Sequence, residues 1–414
     1  MNTLGRRRFL KSLTVLFIAA LFCACAGRGP DPFHVYLVLA EDGSTQMGVH
    51  WHTMAHDEAS LVHYDTVSRG GEIDAYELRA EGEWRTIDGL PDGRQIHGVL
   101  LDGLEPDTVY YFVAGGPTAG YSRELTFRTP PGGSEPIRFV IGGDMGVRRA
   151  AARLTRLAGQ KDPAFAVIGG DIAYANGDLT RARTWDRWFN TWTRNMVTPE
   201  GHLIPIVAGI GNHETNREQT DDWKVKAPFY TGFFWIQGEA PYFTRRVGDY
   251  LAFIVLDTSH LVRHSDQVDF LRGELERHAD FSAVFPVYHV PLYPGHRDFE
   301  GSNSRAGRAF WMPVFEEFGV RVAFENHDHV AKRTHPLRDG EIDPSGIVYI
   351  GDGAFGVRTR SVEPRWYLDM VESKQHFWVA EVTPDRIELV AIDISGSIFD
   401  TVTLPLEAHA AVAN

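Results

Sequence analysis

Seven side chains able to hold a metal stand just past the ends of five apolar runs. "PIRFVIGGDMG" ends in Gly143 and Asp144, and "PAFAVIGGDIAY" ends in Gly170, Asp171 and Tyr174. "LIPIVAGIGNHE" delivers Asn212 and His213, "SAVFPVYHVPLY" delivers His289, and "VRVAFENHDHV" delivers His327 and His329. One such Asp is an ordinary helix cap and one such His is chance. Five in series are hard to explain as packing. Two Asp, one Tyr, one Asn and three His offer hard oxygen and imidazole donors with no thiolate. That is more than one tetrahedral zinc needs. It suits two metals sharing a carboxylate, an arrangement that clamps both oxygens of a phosphoryl transfer. The phenol is the unusual member. Tyr titrates near pH ~10, so a strongly Lewis-acidic ion such as Fe(III) is what binds it comfortably at neutral pH.

Bringing these groups together requires strands whose carboxyl ends gather along one edge, as in an open α/β sheet. From Pro136 onward, strand-like runs alternate with helical spacing over Arg148 to Gly159, Thr184 to Met196 and Val268 to His278. In the second of these, Trp185, Trp188, Phe189 and Trp192 form one stripe, which reads as core, not as a cofactor platform. Pro32 to Pro130 reads as all-β, with turns at Asp92-Gly93 and Asp102-Gly103. Within it, "LDGLEPDTVYYFVAGG" resembles the strand-turn-strand of a fibronectin type III sandwich. His50 and His52 share a strand face there, and with no acid or third His at a useful offset they read as packing or surface. "TPPGGSEP" (Thr129 to Pro136) is a linker by composition, with almost nothing to bury. The expected domains are therefore residues 32–130, a linker at 131–135 and a catalytic domain at 136–405.

Gly143-Asp144-x-Gly146, Gly170-Asp171-x-x-Tyr174, Gly211-Asn212-His213-Glu214, Val287-x-His289 and His327-x-His329 resemble the five blocks of the purple acid phosphatases, which are calcineurin-like metallophosphoesterases. Order and spacing match from Pro136 to about Thr334, and the amino-terminal domain is similar to that of the plant-type enzymes. The resemblance implies a metallophosphoesterase β-sandwich flanked by helices, an α/β fold, preceded by an all-β fibronectin III-like domain. It also implies roles. Asp144, Tyr174 and His329 would hold Fe(III), Asp171 would bridge, and Asn212, His289 and His327 would hold a divalent zinc, manganese or iron. A hydroxide activated by the metals would attack a phosphate monoester. His213 and His296 would bind phosphate oxygens or protonate the leaving alcohol. His296 follows His289 by seven residues, a little closer than in the plant-type enzymes.

One departure stands out: Asn326 replaces the glycine of the last block. Asn tolerates the left-handed region better than most residues, so the expected turn survives with little strain. Asp328 and Glu325 read either as acceptors orienting an imidazole or as solvated charge, the latter favoured for Glu325. Asp257, after "YLAFIVL", and "GDGAFG" (Gly351 to Gly356) read as ordinary turns.

The formal charge of −14 argues against a nucleic-acid partner, and an anionic substrate then needs a local positive centre. A small phosphoester is the expected partner; the oligomeric state is not readable. "GRRRFLKSL" followed by an apolar stretch too short to span comfortably resembles a twin-arginine export signal over residues 1–26. Cleavage after Ala26 is favoured over lipidation of Cys25, which Phe22 fits poorly. Removing Arg6, Arg7, Arg8 and Lys11 takes the charge from −14 to −18 and leaves no cysteine and no transmembrane helix in the mature chain. The rival readings are a phosphodiesterase on the same metals and an inactive fibronectin-like binding protein. An iron–calcium alkaline phosphatase is disfavoured because that family uses a cysteine as an iron ligand.

Overall fold

Along the strand Ile137–Gly142 successive side chains point to opposite faces, and both faces are covered. The computed structural model describes residues 32–407 apart from 236, 237 and 239; the expected export segment, with Cys25, lies outside the described residues. In one sheet, Ile137–Gly142, Phe165–Ile168 and Ile206–Ala208 run parallel, with His376–Thr383 antiparallel beside the first. In a second sheet, Leu251–Val255, Ala283–Val287, Val322–Glu325 and Val348–Gly351 run parallel between antiparallel flanks at Phe243–Val247 and Ala331–Thr334.

The two sheets bury their inner faces against each other. Phe139, Phe165 and Val167 from one meet Phe253, Phe285 and Phe324 from the other. Phe139 stacks on Phe165 at 5.3 Å and meets Phe253 edge-on at 4.9 Å. The outer face of the first sheet carries Val140, Ala166 and Ile206, covered by the helices Arg149–Gly159 and Ala182–Asn195. Trp185, Trp188, Phe189 and Trp192 lie in that layer, as the stripe predicts. The helix Val268–Arg277 covers the second sheet through Leu271 and Leu275. Seven parallel strands thus deliver their carboxyl ends to one edge.

The amino-terminal strands form an all-β unit around Trp51, Val62, Phe112 and Phe127. Its strand Phe33–Leu39 lies parallel to Ile206–Ala208, Val38 opposite Ile206, so the amino-terminal sheet continues into the first catalytic sheet. His50 and His52 are buried, stacked on Tyr36 and Phe233 respectively. The stretch after it is less bare than its composition suggests, since Thr129 is buried and donates to Glu105 O at 2.7 Å. No helix of the described residues is long and apolar enough to cross a membrane.

Candidate metal centre

The loops at that edge bring the candidate donors into two groups. Asp144, Asp171 and His329 form one, Asp171, His289 and His327 the other, with the donor atoms of each within 4.8 Å of one another. Asp171 belongs to both. Tyr174 joins the first: its hydroxyl lies 2.9 Å from Asp144 Oδ1 and 3.1 Å from His329 Nε2. In the second, His289 Nε2 is 3.3 Å from Asp171 Oδ1 and 3.1 Å from His327 Nδ1. Asn212 lines the same cleft as His327, and its Oδ1 is buried with no hydrogen-bond partner among the described residues. An orphaned buried carbonyl oxygen is costly unless something else binds it.

Backbone shape explains why these loops differ from ordinary turns. Asp144, Asp171, Tyr174, His327 and His329 all have φ between 52° and 80°, in the left-handed region that non-glycine residues avoid. Such strain persists only where the surroundings enforce it, and it clusters at functional sites. Here the enforcement is visible. Glu214 is buried and accepts hydrogen bonds from the N–H groups of Asp171, Ile172 and Gly211 at 2.7, 2.8 and 2.9 Å. Asp144 Oδ2 accepts from His327 N at 2.8 Å, tying the first sheet to the second.

Three expectations are corrected. Asn326 does not take the left-handed conformation; its neighbours His327 and His329 do. Its side chain instead fills the gap beside two glycines, where a Cβ on Gly143 or Gly169 would fall 2.3 Å or 1.9 Å from its amide, and it donates to Tyr288 O at 3.0 Å. Glu325 is not solvated. It is fully buried, paired with Lys332, and accepts from Tyr288 Oη and Leu292 N, each at 2.7 Å. The "GDGAFG" run is not a free turn either. Phe355 and Gly356 donate to the carbonyls of Gly143 and Asp144, and a Cβ on Gly353 would fall 2.0 Å from Asp144 Oδ2.

The electrostatics fit a cationic occupant. Burial, then Asp144 and Asp171, push the Tyr174 phenol well above its ordinary range, so it ionises only beside strong positive charge. Burial opposes the Asp171 carboxylate, yet His289 and His213 outweigh it and hold Asp171 below the usual carboxylate range. His289 is raised to about 10, since Asp171 and Asp144 overcome its burial. Paired carboxylates, a phenol and edge-on imidazoles in a largely buried cluster are a donor set without a centre, and two metal ions supply one.

Comparison with known proteins agrees. Residues 32–129 match the purple acid phosphatase amino-terminal domain, and residues 137–331 match the calcineurin-like phosphoesterase domain. The chain belongs to the purple acid phosphatase family. It is 26% identical to purple acid phosphatase 18 of Arabidopsis thaliana, over 84% of this chain and 80% of that one. Purple acid phosphatase 21 of the same plant is also 26% identical, over 88% and 84%. Among solved structures, purple acid phosphatase PPD1 from yellow lupin seeds superposes with a TM-score of 0.76 at 20% identity, covering 90% of this chain and 74% of that one. PhoD shares the fold at 11% identity and a TM-score of 0.66, over 94% of each chain. The fold is the calcineurin-like metallophosphoesterase fold with an amino-terminal all-β domain, and the chain is a metal-dependent phosphoric ester hydrolase with a dinuclear centre.

Around the phosphatase centre lie groups of unequal legibility. His213 packs on the Tyr174 ring at 4.1 Å, with Nε2 3.8 Å from Asp171 Oδ2 and Nδ1 against Asn176 Oδ1. His296 lines the cleft of about 680 Å³ that also holds Asn212 and His327. Two further residues on that cleft escape the motif reading, His260 and Arg297. His260 meets the His289 ring at 5.7 Å and arrives because buried Asp257 accepts from the N–H groups of His260, Leu261 and Val262. The sixth strand end at Asp257 was the available signal.

Proposed function

We propose that the phosphatase hydrolyses phosphate monoesters, with Fe(III) held by Asp144, Tyr174 and His329, a divalent zinc, manganese or iron held by Asn212, His289 and His327, and Asp171 shared. The observation carrying this is the meeting of donors from four strand ends in two groups that share one carboxylate, with Asn212 from a fifth on the same cleft as His327. When bound, the ions supply Lewis acidity at phosphorus and a nucleophile deprotonated near neutral pH. The chain's own part is positioning and proton transfer. Glu214 fixes the loop that presents Asp171. His213, held through Nδ1 by Asn176, would donate from Nε2 to a phosphate oxygen in its protonated form. His296 donates from Nδ1 to Ser361 O at 2.8 Å, so that as the imidazolium it would hand its Nε2 proton to the departing alcohol. The twin-arginine-like run supports export of the folded chain, and recovery of the mature protein from the cytoplasm would contradict that.

The test is a visible spectrum with turnover of p-nitrophenyl phosphate and bis(p-nitrophenyl) phosphate, on wild type and Tyr174→Phe. A violet phenolate–iron band that the substitution abolishes is expected, with the monoester preferred. A colourless, fully active wild type would remove iron and leave the two-metal centre. Faster turnover of the diester would make the chain a phosphodiesterase.

A further inference from the structure

The cleft is lined by one guanidinium, Arg297, beside Asp298, in a chain whose formal charge is −14. The segment after Gly356 carries Arg358, Arg360 and Arg365 and is stitched to the site through its backbone. His329 Nδ1 lies 3.2 Å from Arg358 O, Arg360 N donates to His329 O at 3.1 Å, and His296 Nδ1 donates to Ser361 O. Arg365 is already engaged, donating to the carbonyls of His296 and Arg297. Arg297 and Arg360 are not so satisfied.

Arg297 lines the cleft with Asn212, His260 and His327. Asp328, buried between the two candidate ligands, anchors it. Asp328 Oδ2 accepts from Arg297 N at 3.0 Å, and Oδ1 pairs with Arg297 Nε at 3.3 Å. That grip uses the inner edge of the guanidinium. Its terminal nitrogens have no partner among the described residues, and the side chain is exposed at 41%. Burial and the neighbouring Arg360 both hold Arg297 below the ordinary guanidinium range, so the two cations repel each other. The Arg360 side chain has no carboxylate partner among the described residues. Glu363 pairs with Arg365 at 3.8 Å, and Asp298, on the same cleft, accepts from Glu300 N at 3.0 Å. Arg297, paired through Nε alone, and the neighbouring Arg360 repel each other and are relieved once an anion lies against them. A single phosphate on the metals would leave them unused, because the cleft is far larger than one phosphate.

Resting on the phosphatase reading above, we propose that Arg297, supported by Arg360, binds a second phosphoryl group of the substrate, so that the preferred substrates are organic phosphates bearing two phosphoryl groups. Arg297 is the specificity-determining residue, acting on binding of the group that is not cleaved. The experiment compares kcat/KM for fructose 1,6-bisphosphate and p-nitrophenyl phosphate in wild type, Arg297→Gln, Arg297→Lys and Arg360→Gln, at low and high salt. Wild type should favour the bisphosphate. In Arg297→Gln the ratio of the two should fall about tenfold to a hundredfold, chiefly through KM, the worth of a charge-assisted hydrogen bond. Arg297→Lys should fall between, Arg360→Gln should shift the ratio the same way by less, and salt should erode the wild-type preference. An unchanged ratio in both Gln variants, or no wild-type preference, overturns the proposal while monoester turnover persists. A wild type that turns over neither compound overturns the phosphatase reading, and this inference with it.

Discussion

At the residue scale, the buried Glu214 carboxylate holds the strained loop of Asp171 by three backbone N–H groups. Glu214→Gln keeps one acceptor oxygen, which can still serve Asp171 and Gly211, and turns an NH₂ toward the Ile172 N–H, which loses its partner. The expected loss is about 1–3 kcal/mol, read from urea unfolding of the metal-loaded chain; a change below about 0.5 kcal/mol, the range of ordinary surface substitutions, would mean the loop holds itself. Gly353 is the second case. A Cβ there would fall 2.0 Å from Asp144 Oδ2 and 2.4 Å from His327 N, at φ +69°. Gly353→Ala should lower kcat about hundredfold, the usual effect of displacing reacting groups by an ångström. Normal turnover would show that Asp144 tolerates the shift. Asp144, Asp171 and His289 are legible in the sequence because each directly follows an apolar strand. Gly353 is not, because Gly-Asp-Gly occurs in many turns and its contact with Asp144 is made only in three dimensions.

At the scale of elements, the strands Val322–Glu325 and Ala331–Thr334 flank the loop that carries His327 and His329. Glu325 and Lys332 both stand opposite Gly351 of the strand between them, on either side of it. Both are fully buried, and Lys332 also contacts Tyr293 O and lies 3.9 Å from Asp352. Lys332→Met strands a buried carboxylate and should destabilise by about 3–5 kcal/mol, while adding Glu325→Gln should recover most of that. Equal losses in the single and double variants would place the effect in packing instead. The helices Arg149–Gly159, Ala182–Asn195 and Val268–Arg277 were readable from apolar spacing to within two residues of each end. The Glu325–Lys332 pair was not, since a lone acid at a strand end does not announce a partner on a neighbouring strand. Asn326 misled for a similar reason: its place in a glycine's position suggested backbone conformation, whereas its side chain fills space beside Gly143 and Gly169.

For the whole molecule, the continuous sheet through Val38 and Ile206 ties the amino-terminal unit to the metal-bearing edge. Acid should weaken this assembly. Burial lowers His50 to about 3, and His264 and His376 to about 4 each. As pH falls below ~6.5, the unfolded chain protonates these imidazoles and the folded chain does not until their lowered values are reached. Their contribution is therefore lost progressively between about pH 6.5 and 4, at about 1.4 kcal/mol per pH unit for each and about 4 for the three. Urea unfolding at pH 7, 6 and 5 should show that decline, and His264→Gln should reduce the slope by about 1.4 kcal/mol per pH unit. Stability that stays flat to pH 5 would contradict the burial of these rings as neutral groups.

The account as a whole stands on Asp171 serving two metals at once. Metal content per chain, measured on wild type and Asp171→Asn after dialysis, addresses that directly. Two ions per chain in the wild type and loss from both positions in the variant are predicted. One ion in a fully active wild type, or two retained in Asp171→Asn with normal turnover, would contradict it.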